Sequence, residues 1–335
     1  MRAPGNVARS GVFGLRVTCY WVAEEFRVHL YAEQSLPKNR PEIMVVGGGK
    51  GGVGKTCFSV NAAVTIARRG WRVVLVDADL SCSNVEIILG MHCNARLDDF
   101  FYQKGAKSLE NILCDTPYEN LRLIPGTTGL LNVANPKYQQ KLALIRELSQ
   151  LDADLIIIDL DAGAHLNTLD FFLMTETNGV LLITPEKTSI DNAFKFLRGA
   201  LFRRIERFYQ SPEVALLLKR NETLSDFIEC IESSDSFDKA TGRQICGELV
   251  ALAQSIKPRI VVNKAHNAYE AQIASNILAK YARQFLRIEP EHLGFLYLDN
   301  CVSETVNSGK PFVVGHPGLK ISGCISDIAN RLGYL

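Results

Sequence analysis

None of the nine cysteines forms a C-x-x-C pair, and they lie scattered along the 335 residues. That spacing offers no cysteine-built zinc or iron–sulfur site and fits the reduced thiols of a cytoplasmic protein. No apolar run reaches the roughly 18 to 20 residues that a membrane span needs. Neither sign of charge dominates: a formal net charge of +1 gives no global pull toward nucleic acid or an anionic membrane. Internal repeats and low-complexity tracts are absent as well. With 47% hydrophobic and 22% charged residues, the chain is long and apolar enough for a substantial core.

Residues 1–40 differ in composition from the remainder. Arg2, Arg9 and Arg16 precede the first acids, Glu24 and Glu25, and Arg16 interrupts what would otherwise be the apolar stretch of a signal peptide. The expectation is a leader outside the fold, either disordered or the product of an upstream start codon, with an organelle-targeting segment as the alternative.

From Glu42 onward short apolar runs alternate with helical patterns. EIMVVGG, WRVVLVDAD, NLRLIPG, LIIIDLDAG, GVLLITPE, IVVNKA and HLGFLYL read as strands. Between the first two, Val60, Ala63 and Ile66 or Ala67 share a helical face that Gly70 ends. Further helices are expected around Lys137–Gln150 and Ser189–Arg207. Continuous apolar strands suit a sheet covered on both faces. The alternation predicts an α/β fold with a doubly wound, mostly parallel sheet flanked by helices over residues 41–335. Residues 208–256 break the rhythm and read as a helical insertion, with Thr223 and Asp226 spaced as a capping box.

Gly49-Lys50-Gly51-Gly52-Val53-Gly54-Lys55-Thr56 fits G-x-x-x-x-G-K-[ST] between a predicted strand and a predicted helix. Glycines allow successive backbone N–H groups to point inward as an anion nest, and the helix start adds its positive dipole end. Lys55 is placed to reach the β- and γ-phosphates and Thr56 to put its hydroxyl on Mg²⁺. Asp77, Asp79 and Asp159 end predicted strands, where acids of a parallel sheet sit beside the phosphate loop. Each alone reads equally well as a solvated loop acid; the three together, with the loop, point to one site.

Lys50 is not required by an ordinary phosphate loop. The form K-G-G-x-G-K-T resembles the deviant Walker A loop of the MinD/ParA family, and the resemblance runs from about residue 42 to 335. It implies ATP and Mg²⁺ as cofactors, with Gly49 to Cys57 holding the nucleotide and Lys55 serving its own subunit's phosphates. It also implies that Lys50 reaches across an ATP-sandwiched homodimer to the partner's phosphates, in the manner of an arginine finger. Asp79 matches the acid that positions the attacking water. Asp159 and Gly163 match the second switch, where the acid supports Mg²⁺ through water; Asp161 stands where relatives often have proline or glycine, which bears on the hydrolysis rate. Asn263 matches the asparagine that reads adenine, a base edge suited to an amide; a turn residue is the plainer reading. In GFLYLDN, Tyr297 replaces the family's usual proline and Asp299 is retained.

DADLSCSNVEIILG looks like the first switch of the MinD branch, and the stretch around NVANPKYQQKLALIRELSQ looks similar to FlhG/FleN-type proteins. The implied function is a slowly hydrolysing dimerisation switch that regulates the placement or number of a cellular structure, acting on an unidentified activator or client protein. A DNA-partition ATPase and a non-hydrolysing ATP-dependent binding module are the alternatives; near-neutral charge argues against nucleic acid. Cytoplasmic location is expected, with peripheral membrane association as an alternative. The C-terminal segment offers little for the latter. Ile321, Ile325, Ile328 and Leu332 share a helical face, but only Lys320 and Arg331 are basic, so a helix packed on the sheet is the expected outcome.

Overall fold

The computed structural model describes residues 40–80, 84–102, 108–127, 136–174, 179–233 and 238–335. The leader expected over 1–40 therefore lies, but for Arg40, outside the described residues, as does part of the first-switch sequence at 81–83. Among the described residues eight strands form one sheet: β1 (Glu42–Gly47), β2 (Val73–Ala78), β3 (Cys114–Asp115), β4 (Leu121–Ile124), β5 (Leu155–Leu160), β6 (Val180–Ile183), β7 (Arg259–Ala265) and β8 (Glu291–Tyr297). Their order is β3-β4-β2-β5-β1-β6-β7-β8. All neighbours are parallel except β3 and β4. The short antiparallel edge β3 has no counterpart in the sequence reading; two residues carry no periodicity.

The pleat sorts the apolar strands onto two cores. Val45, Val74, Val76, Ile156 and Ile158 face one side; Met44, Val46, Val73, Leu75, Leu155 and Ile157 face the other. The first side is covered by α3 (Tyr138–Leu148), α4 (Leu166–Met174), α5 (Lys187–Tyr209) and α9 (Ala268–Tyr281), and the second by α1 (Lys55–Ala67), α2 (Val85–Leu89) and α11 (Lys320–Arg331). Three further helices are α6 (Pro212–Arg220), α7 (Leu224–Glu232) and α8 (Lys239–Gln254), with α10 (Cys301–Asn307) following β8. Thr223 and Asp226 form the reciprocal capping box of α7. Leu218, Phe227, Ile231 and Leu249 carry these helices into the first core.

The last helix is part of the core. Ile321, Ile325 and Ile328 are at most 2% exposed, each worth about 2 kcal/mol of burial, so the apolar face of this helix is already packed on the sheet. Arg69 bonds to Ser326 and to the Tyr334 carbonyl, and the Tyr334 hydroxyl bonds to Glu42. No helix among the described residues is long and apolar enough to cross a membrane.

Candidate nucleotide site

β1 lies between β5, which follows β2 across the sheet, and β6 on its other side, so the strand order reverses at its carboxyl end. That switch point is where open α/β sheets hold ligands. The chain leaves β1 at Gly47, turns through residues 48–54 and enters α1 at Lys55. Gly54 has φ +93° and provides no side-chain cap, so the first N–H groups of α1 are left facing the loop. A Cβ on Gly49 would sit 2.2 Å from the Asn192 backbone of α5; only glycine allows the loop to run this close to that helix. Lys55 is 8% exposed.

The acids at the strand ends divide into different roles. Asp77 and Asp159 face one another in register across β2 and β5, and both are fully buried. Asp77 accepts from the N–H groups of Asp79 (3.1 Å), Asn84 (3.2 Å) and Val85 (3.3 Å). It therefore anchors the chain leaving β2 and the start of α2. Asp159 accepts from the Ser59 hydroxyl through Oδ1 (2.8 Å), while its buried Oδ2 has no hydrogen-bond partner. Burial, with Asp77 next to it, pushes the Asp159 carboxyl up to about 7; the Thr56 and Ser59 hydroxyls and the Lys55 ammonium offset only part of this. An orphaned carboxylate oxygen beside Thr56 and Lys55 is a place that a hard divalent cation fits. Asp79 is half-buried just beyond β2.

Lys50 is not pointed away from its own subunit. Its ammonium is ion-paired with Glu186 and lies 3.2 Å from the Thr188 hydroxyl, at the start of α5. Lys50 in turn holds the Glu186 carboxyl below its usual range. Gly163 donates to the Gly48 carbonyl (3.0 Å), tying the chain after β5 to the phosphate loop. Asp161 accepts from the N–H of Ala162 (2.5 Å), so that oxygen is turned into its own loop.

Asn263 sits at the end of β7 and donates to the Val53 carbonyl (2.8 Å), while its Oδ1 accepts from the Lys264 N–H (2.8 Å). It is thus a strut of the loop; one amide hydrogen and one lone pair are left for a ligand. Beside it lies a cavity of about 280 Å³ lined by Gly54, Cys57, Asn263, Tyr297, Leu298 and Asp299 among others. The structure brings residues 49–57, Asp159 and Asn263 to one end of the sheet, with Asp79 at its rim. Ser59, Glu186 and Thr188 were missed by the sequence reading. Ser59 lies one turn beyond Thr56 and its spacing could have been read; nothing in TPEKTS marks Glu186.

Comparison with known proteins agrees with this geometry. The AAA domain family model matches residues 41–211. The antiactivator FleN of Pseudomonas aeruginosa is 24% identical over 292 residues, 87% of this chain and 86% of that protein. A putative septum site-determining protein MinD of Oltmannsiellopsis viridis is 33% identical over 162 residues, and the chain spans only 50% of that relative. Among solved structures, the septum site-determining protein MinD complexed with Mg-ADP from Pyrococcus horikoshii superposes with a TM-score of 0.59 at 20% identity, over 87% of this chain and 96% of that one. Fold and loop together define a P-loop nucleotide-binding domain. The chain belongs, within that class, to the MinD/ParA family of ATPases, on the side of the FleN-type proteins.

Proposed function

We propose that this protein is an ATP-dependent dimerisation switch that hydrolyses ATP slowly and, by analogy with FleN and MinD, regulates the placement or number of a cellular structure. The observation that carries the reading is the unpartnered Asp159 Oδ2 buried beside an uncapped helix start. Backbone N–H groups of residues 49–56 cradle the phosphates, Lys55 neutralises the β- and γ-oxygens, and Thr56 with Asp159 holds Mg²⁺, Asp159 through water. Bound there, Mg²⁺ supplies charge neutralisation and alignment of the transferred phosphoryl group. Asp79 orients the attacking water, and Asn263 offers its remaining amide positions to adenine.

Lys50 gives the switch two states. In the single chain it rests on Glu186 and Thr188. In the dimer it leaves them to reach the partner's phosphates, a charge-assisted contact that two facing ATP molecules require to offset their repulsion. Hydrolysis then needs association, and an activator or client protein that favours either state sets the lifetime.

The test is light scattering and phosphate release with ATP. Lys50→Ala is expected to bind ATP yet stay monomeric and inactive, and Asp79→Ala to dimerise and persist as a dimer. Lys50→Ala dimerising and turning over as the unmodified chain does would remove the trans-acting lysine and the switch with it.

A further inference from the structure

Two helices end against each other, backbone on backbone. Gly90 stops α2 and Gly309 follows the last turn of α10, each in the left-handed region, at φ +67° and +63°. A Cβ on Gly90 would lie 2.4 Å from the Gly309 carbonyl oxygen, and one on Gly309 would lie 2.8 Å from the Gly90 Cα. Neither space admits a carbon, and no flexible side chain is there to yield.

The two sides are held unequally. Just beyond Gly309, Phe312 is 1% exposed. The Val313 N–H donates at 3.1 Å to Oδ1 of Asn61, a buried side chain of α1 that itself donates to the Cys57 carbonyl at 2.7 Å. The Gly309 side is thus fastened to the helix that leaves the phosphate loop. The start of α2 is held by longer bonds, from the N–H groups of Asn84 and Val85 to Asp77 Oδ2 at 3.2 and 3.3 Å. Val85, Ile88 and Leu89 pack in the second core, but apolar contacts are non-directional and do not fix a helix along its axis. A push at Gly90 therefore falls on the five residues of α2 and reaches Asp77. That carboxylate also takes the Asp79 N–H, through Oδ1 at 3.1 Å.

We propose that Gly90 and Gly309 are positioning residues for ATP hydrolysis: their backbone contact sets α2 against the C-terminal segment and, through Asp77, sets the placement of Asp79. This rests on the proposed ATPase reading, and amide hydrogen exchange in the nucleotide-free full chain tests the contact apart from it. Gly70 and Gly333 are matched controls, because both are left-handed, at φ +93° and +94°, with open space where a Cβ would stand. Gly70→Ala and Gly333→Ala carry the backbone strain without the collision. Gly309→Ala is expected to speed exchange at the Asn84 and Val85 amides about tenfold. It should lower kcat for Mg-ATP about tenfold and leave the calorimetric ATP affinity within about twofold, since the phosphate loop is untouched. Gly90→Ala should do the same, and the two controls should change neither quantity. Asn61→Ala keeps both glycines and loosens the Gly309 side, so it should speed Val85 exchange several-fold whether or not the alanine variants fold. A purely structural role would lower stability in urea with exchange at Asn84 and Val85 unchanged, or would move ATP affinity and kcat together. Either result, with turnover by the unmodified chain intact, overturns the proposal alone. Absence of turnover in the unmodified chain would overturn the ATPase reading and the proposal with it.

Discussion

Asp159 and Asp170 are the same residue type at nearly the same depth, 0% and 2% exposed, in two differently built regions. Asp159, at the phosphate end of β5, has one oxygen bonded to Ser59 and the other unpartnered. Its carboxyl is pushed up to about 7 by burial and by Asp77. Asp170, on α4 between α3 and α5, meets Lys141 at 2.5 Å, Arg203 at 2.9 Å and Arg207 at 3.4 Å. Burial pushes it up too, but hydrogen bonds from Arg203 and Lys141 overcome that and hold it below the usual carboxylate range. Burial alone therefore does not tell what a carboxylate is for. The one saturated with cations fastens three helices together; the other is left short of positive charge, as the proposed Mg²⁺ role requires.

The comparison breaks most sharply under the same isosteric change at both positions. Asp170→Asn leaves Lys141, itself 3% exposed, and Arg207 without their counter-charge and Arg203 with Glu206 alone, and is expected to cost about 3–5 kcal/mol of stability. Asp159→Asn retains an acceptor for Ser59 and should cost the nucleotide-free protein about 1 kcal/mol or less. Urea unfolding of the two variants side by side decides it: equal losses would mean that both carboxylates are structural.

The next effect concerns the ligand's charge. Lys55→Ala removes the cation facing the phosphates and should weaken ATP binding on the order of a hundredfold, read by titration calorimetry. ATP affinity at the unmodified level would end the phosphate-loop assignment. Smaller is the effect at the cis contact of Lys50. Glu186→Gln frees the lysine from its resting partner, so the ATP concentration needed for half-dimerisation by light scattering should fall about threefold. A rise would show that Glu186 supports the dimer and does not compete with it.

The smallest effect is a pH dependence at Asp170. Its folded value lies below the ordinary 3.8, so the fold favours the ionised form. Its stabilisation is present above the ordinary value and lost as pH falls through the folded one. The gap in unfolding free energy between the unmodified chain and Asp170→Asn should be constant from about pH 6 to 8 and shrink below about pH 4. A gap that persists in acid would assign the cost to packing.

Much of the fold was legible because its signals are short-range. Continuous apolar runs such as LIIID and the helix over 137–150, observed as Tyr138–Leu148, depend only on period and length. The edge β3 was not legible, because a two-residue strand exists only by its pairing with β4. The phosphate loop was legible for the same reason as the long strands: its donors and its lysine come from consecutive residues. Asp77 was not. Its sequence position beside Asp79 marks an acid at a strand end, but only the path of the chain back to Asn84 and Val85 makes it an anchor.

By itself, then, the sequence determined the α/β alternation, the cradle of residues 49–56 and the acids at strand ends, since each is set by neighbours along the chain. The tertiary structure decided what those residues touch. Lys50 finds Glu186 across 136 residues, Asp159 finds Ser59 across 100, and Asn263 finds Val53 across 210. Such pairs follow from strand order and crossover path. No local pattern encodes them, because a charge or an amide takes whichever partner the folded sheet brings within about 3 Å.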